Sequence, residues 1–190
     1  MKKKSHKSKR LVRVILLTLL VIPANLVAEP ATPIKGESFL LNGVYYSNIE
    51  IEFVFSKEYL EALNSGLVFD IDLDFSVVNV RTRRLNREIG KLSQKYILKY
   101  NAFTQRYTIL NVNTGREVSR SSVGSALQYL GNIRNLPTID DSLINIDQSY
   151  QVYLQVSTRA QGVPSWIKTL TFWRDNLDFV TEWIQWPLYD

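Results

Sequence analysis

Three aspartates, Asp70, Asp72 and Asp74, alternate with apolar residues in Phe69-Asp-Ile-Asp-Leu-Asp-Phe75. In an extended chain this spacing puts all three carboxylates on one face, roughly 6.5–7 Å between neighbours. Gathered oxygens can hold calcium. A helix–loop–helix calcium loop also needs a Gly at its sixth position and a Glu at its twelfth, and the segment has neither. The expectation adopted is a solvated strand face whose reverse (Phe69, Ile71, Leu73, Phe75) is core, with Lys95 and Lys99 opposing the acids from another strand.

Arg81, Arg83, Arg84 and Arg87 follow at once. Arginine favours planar, bidentate recognition over mere solubility. The cluster is therefore a candidate patch for an acidic partner, a lipid headgroup or an anionic glycan. Its plainer reading is a solvated loop leaving the strand at Asn79, with Glu88 as an ion-pair partner. The third candidate is the aromatic tail: Phe172, Trp173, Phe179, Trp183, Trp186 and Tyr189, with every Trp of the chain beyond residue 165. Trp is enriched at interfaces, so Trp173, Trp183 and Trp186 are candidate binding residues, as docking anchors or as a sugar-stacking platform. In the structural alternative Phe179 and Trp183 close the core and Trp186-Pro187 covers an open end. Spacing of three on one strand would point Trp183 and Trp186 to different faces.

The chain has no Cys, its only His is His6, and its only Met is Met1. Beyond the N-terminal leader this excludes a thiolate nucleophile, a Ser-His pair, a His-ligated zinc and an imidazole base. Asp178 with Glu182, and Glu50 with Glu52, are pairs of carboxylates on one strand face. Glycoside hydrolysis needs such groups about 5–10 Å apart across a cleft, and no cleft is indicated. No Gly-rich phosphate loop, nucleophile elbow or Ser-x-x-Lys motif is present. The expectation is a protein that is not an enzyme, with no cofactor and no metal.

The elements that must position these residues are mostly strands. Ile49–Phe53, Phe69–Phe75, Lys95–Tyr100, Arg106–Val112, Gln151–Ser157 and Leu177–Trp186 carry period-two alternation. Asn113-Thr-Gly115 reads as a hairpin turn before Glu117. Ser56–Gly66 and Ser122–Gly131 read instead as short helices, each with a serine for an N-cap and a glycine at its end. The expected fold is mainly β: an immunoglobulin-like β-sandwich with two short helices.

Formal charge is +5, from 23 basic and 18 acidic side chains. Seven of the bases, from Lys2 to Arg13, precede an apolar run from Val14 to Ile22, and no acid occurs before Glu29. Without residues 1–28 the balance is 16 bases against 18 acids, a net charge of −2. The basicity belongs to the leader, so nucleic acid is not an expected partner. Residues 1–28 have the order of a signal peptide. The apolar run falls short of the roughly 20 residues a membrane-spanning helix needs, though an uncleaved anchor stays open. The expected division is leader 1–28, flexible lead-in 29–36 and one sandwich domain 37–190. The expected location is the periplasm, free or anchored in the inner membrane and facing the periplasm.

Several segments are familiar as an ordered set. They are Tyr96–Tyr107 (YILKYNAFTQRY), Asn111–Gly115, Ala126–Gly131 with Arg134–Asp140, and Thr181–Leu188 (TEWIQWPL). Together they resemble the proteobacterial domain-of-unknown-function family catalogued as 4390, over about Ser47 to Leu188. The resemblance implies an exported envelope protein of unassigned activity and suggests a membrane sensor kinase as a partner. It supplies no catalytic residues. The functional expectation is a non-enzymatic envelope protein that binds another protein at the membrane surface, guided by the arginines and anchored by Trp186 or Trp173. The alternative is a lipid- or glycan-binding periplasmic module.

Overall fold

A computed structural model describes residues 30–161 and 177–189. The chain order is β1 (Ala31–Leu41), β2 (Val44–Phe53), α1 (Lys57–Asn64), β3 (Val68–Val80), β4 (Arg87–Asn101), β5 (Arg106–Asn111), β6 (Glu117–Arg120), α2 (Val123–Gly131), β7 (Asn132–Asp140), a 3-10 turn (Asp141–Leu143), β8 (Ser149–Gln161), β9 (Phe179–Val180) and β10 (Ile184–Pro187). The smaller sheet has the order β1-β2-β7, and the larger β10-β8-β3-β4-β5-β6, with β9 on β8. Among the described residues, the expected two-sheet sandwich with two short helices is what the chain forms.

Alternation decides which side of each strand is core. On β3 the inward set is Phe69, Ile71, Leu73, Phe75 and Val77, each at most 2% exposed. Val152, Leu154 and Val156 of β8 and Ile49, Ile51 and Phe53 of β2 complete the centre. The helix Ser122 was expected to cap is α2, where its hydroxyl accepts from the Ser125 amide at 3.2 Å. Ala126, Leu127 and Leu130 then face the core, against β2.

Two segments depart from expectation. Residues 31–36 are not a flexible lead-in but the first half of β1, with Ala31 fully buried opposite Phe53. Pro33 is tolerated because β1 is an edge strand, and Ile34 forms a bulge between Pro33 and Lys35. β7 also went unread, because Pro137 and the left-handed Asn135 interrupt its alternation. As the outer strand of its sheet it can carry both.

The last strand holds a bulge that the alternation did not foresee. Val180 pairs with Ser157 and Ile184 with Leu154, so four steps on the edge match three on β8. At the joint, Thr181 donates its amide to the Val156 carbonyl at 2.9 Å, and its hydroxyl accepts from the Val156 amide at 3.0 Å. One extra residue exchanges the two faces of everything downstream.

The sandwich has two distinct ends. β1 begins beside the last residue of β2, and α1 leads from there to the start of β3. The 13 residues of β3 then run about 40 Å to the opposite end, at roughly 3.3 Å per residue. That far end carries the β3–β4 loop, the β1–β2 turn and residues 141–148. It is tied by the Asp141 amide to the Gly43 carbonyl (2.9 Å) and by pairing of Val80 with Ser149.

Candidate functional site

The arginine cluster is the tip of the β3–β4 hairpin at the far end. Arg81 is turned back: its amide donates to Asn86 Oδ1 at 3.1 Å and its Nε to Asn79 Oδ1 at 3.0 Å. Asn79 is buried and donates in turn to Gln148, which pins the loop to residues 144–148. Arg83, Arg84 and Arg87 are exposed, and none of the four arginines has an ion pair among the described residues. Glu88, the expected partner, instead accepts from the Ser76 hydroxyl at 2.8 Å and pairs with Lys91 at 3.2 Å. The Ser76 hydrogen bond holds its carboxyl below the ordinary range. Leu85 stands among the arginines at 91% exposure, with Ile146 at 85% on the neighbouring segment.

The tail tryptophans divide. Trp173 lies outside the described residues. Trp186 is a core residue, 5% exposed, with its indole Nε1 donating to Ser38 Oγ at 2.8 Å. That corrects its expected place as a surface anchor, and the bulge at residues 181–183 is the cause: it turns Ile184, Trp186 and Leu188 inward. The same bulge turns Trp183 outward, where it is half-exposed. Trp183, a candidate binding residue whose structural alternative was to close the core, is thus on the surface.

Around Trp183 the outer face of the larger sheet is hollowed. A groove of about 690 Å³ is lined by Asp74 and Ser76 of β3, Glu88, Lys91 and Ser93 of β4, Tyr153 of β8, and Trp183. Asn86, at the foot of the arginine tip, also lines it. A second depression of about 500 Å³ lies against Trp183, Gln155, Thr181 and Glu182. This arrangement escaped the sequence reading because its residues come from strands far apart in the chain. Tyr153, an aromatic at an outward position between Gln151 and Gln155, was its one local signal.

The aspartate row behaves as a strand face. Asp72, 8% exposed, lies between Arg159 (2.6 Å) and Lys95 (3.9 Å). Lys99 pairs instead with Glu117 at 3.6 Å. Asp70 accepts from Gln161, and Asp74 has no polar partner among the described residues. Of the acid pairs weighed for hydrolysis, Glu50 is tied to Arg134 at 2.5 Å and Asp178 accepts the Ala160 amide at 2.9 Å. Elsewhere, hydrogen bonds hold the carboxyls of Glu37, Glu58, Glu88 and Asp140 below their ordinary range.

Residues 38–187 match the family described as Domain of unknown function (DUF4390). The match spans most of the sandwich, and the chain belongs to that family. No curated protein and no solved structure matches it.

Proposed function

We propose that this is a non-enzymatic exported envelope protein of a proteobacterium that docks another membrane or envelope protein from the periplasmic side, with a membrane sensor kinase as the partner class. The leader at residues 1–28 supports export, either with cleavage or as an anchor. The observation that carries the docking reading is the hairpin tip: Arg83, Arg84 and Arg87 exposed around Leu85, with no ion pair among the described residues. Unpaired arginines beside exposed leucine and isoleucine are the composition of an interface before its partner arrives.

Lipid binding by the same tip has less support. Asp140, Asp141 and Asp147 stand on the adjoining segment, and an anionic bilayer would repel them.

The test is in-cell cross-linking and affinity capture from the parent bacterium, using full-length protein tagged after Asp190. It is run beside an Arg83→Glu/Arg84→Glu/Arg87→Glu variant of equal abundance. Enrichment of one membrane protein by the wild type and its loss in the variant supports docking. Equal recovery from both refutes the arginine reading.

A further inference from the structure

We propose that the groove beside Trp183 binds an uncharged oligosaccharide, stacked on the indole and hydrogen-bonded by the polar residues of the sheet face. The inference does not rest on the arginine tip.

The first support is how Trp183 is held. A bulge re-aims a side chain at the expense of regular pairing. Here the Thr181 hydroxyl substitutes for a ladder partner at Val156, so the distortion is locked in place rather than frayed. Its outcome is a half-exposed indole between two depressions, with no aromatic ring packed on it among the described residues. A sugar has an apolar face of C–H groups that an aromatic plane covers well, and an indole offers the largest such plane.

The second support is the polar row beside it. Asp74 alone of the three aspartates keeps its carboxylate without a polar partner among the described residues. Ser93 faces it directly on β4, and Gln155 faces it on β8. Ser76, Glu88 and Lys91 continue the row along the groove. A free carboxylate, hydroxyls, a carboxamide and an ammonium are donors and acceptors suited to the edge hydroxyls of a sugar ring. Bonds to the charged members are the stronger ones.

The third support is charge. Asp74, Glu88 and Glu182 outnumber Lys91 around Trp183. Phosphates, sulfates and uronic acids would meet net repulsion there, so the ligand is a neutral one. A volume of about 690 Å³ falls within the roughly 300–1,000 Å³ of small-ligand sites, and the second depression lets a linear chain continue past the indole.

The full chain in detergent is titrated with chitotetraose, cellotetraose and trigalacturonate, following tryptophan fluorescence and calorimetry. The expected result is binding of at least one neutral tetramer and none of the trianion. Trp183→Ala and Asp74→Asn should each weaken it tenfold or more, with Trp183→Phe intermediate. Unchanged circular dichroism certifies each variant, and if Trp183→Ala misfolds, Asp74→Asn decides alone. The proposal is overturned if neither neutral tetramer binds at millimolar concentration. It is equally overturned if trigalacturonate binds as well, or if both Asp74→Asn and a folded Trp183→Ala bind like the wild type.

Discussion

The six-membered ring of Trp186 occupies the space where a side chain on Gly36 would stand. A Cβ placed on Gly36 would meet two ring carbons at 2.3 Å. Gly36 is thus a glycine for room rather than for backbone freedom, and it seats the edge of the larger sheet against the edge of the smaller.

Gly36→Ala should therefore destabilise by about 1–3 kcal/mol through overpacking. Trp186→Ala should cost about 3–5 kcal/mol. The two share one contact, so the double variant should lose less than the sum. Chemical denaturation of the four proteins checks this, and strict additivity would contradict the contact.

Deleting Glu182 would remove the extra residue of the bulge. Ile184 would still pair with Leu154, with a single residue between it and the inward Thr181, so regular alternation would keep Trp186 and Leu188 in the core and Trp183 outside. We expect the tryptophan emission to keep its wavelength and the loss of stability to stay within about 1–2 kcal/mol, since no apolar side chain leaves the core; a strong red shift would contradict the bulge. Substituting Glu182→Gln keeps the count of residues and should change stability by less than about 0.5 kcal/mol.

Tyr59 of α1 sits in an aromatic cluster with Phe55 (ring centroids 5.2 Å), Phe69 (5.6 Å) and Phe179 (6.3 Å). Burial, reinforced by the charge of Asp178, pushes its phenol up to about 12. The folded protein thus holds this proton more tightly than the unfolded chain, whose tyrosine titrates near 10. Stability should be unaffected below pH 10 and fall between pH 10 and about 12, by about 2–3 kcal/mol at most. Burial also raises Tyr96 and Tyr189, so Tyr59→Phe should make the alkaline slope shallower without abolishing it. Denaturation midpoints across that range are the measurement.

Asp72 is the one aspartate of its row that the fold depends on. Arg159→Ala leaves it Lys95 and should cost about 1 kcal/mol. Replacing Lys95 as well strands a nearly buried carboxylate, and the double variant should lose about 3 kcal/mol or more. Additive small losses in a double-mutant cycle would argue against a shared partner.

The legible parts of the fold were those where one local rule acted alone. The alternation in Phe69–Phe75 placed β3 and its core face correctly, and Ser122 marked the start of α2. Residues 31–36 were misread because Ala31, Thr32, Pro33 and Gly36, a proline among small residues, look like a linker. Their place in β1 depends on an edge position and on Trp186, 150 residues away by number. The exchange of Trp183 and Trp186 hung on a single inserted residue, whose cause lies in Thr181 and its bonds to Val156. The arginines could be seen as a cluster in sequence, but their isolation from Glu88 could not, because Ser76 and Lys91 claim that carboxylate. The groove was invisible for the same reason: its lining joins strands that only the sheet brings together.

The seam between Gly36 and Trp186 also fixes an order of events. Among the described residues the first strand closes against the last, so the contact cannot form until the chain has been made as far as residue 186. Wherever synthesis or passage through a membrane delivers the chain from its N-terminus, β1 must wait for residues 184–188 with its inward face uncovered. Folding governed by such distant partners is slow, and the waiting intermediate leaves the inward residues of β1 without their cover. In that interval aggregation or proteolysis would find β1, a strand made early that is completed by one made late.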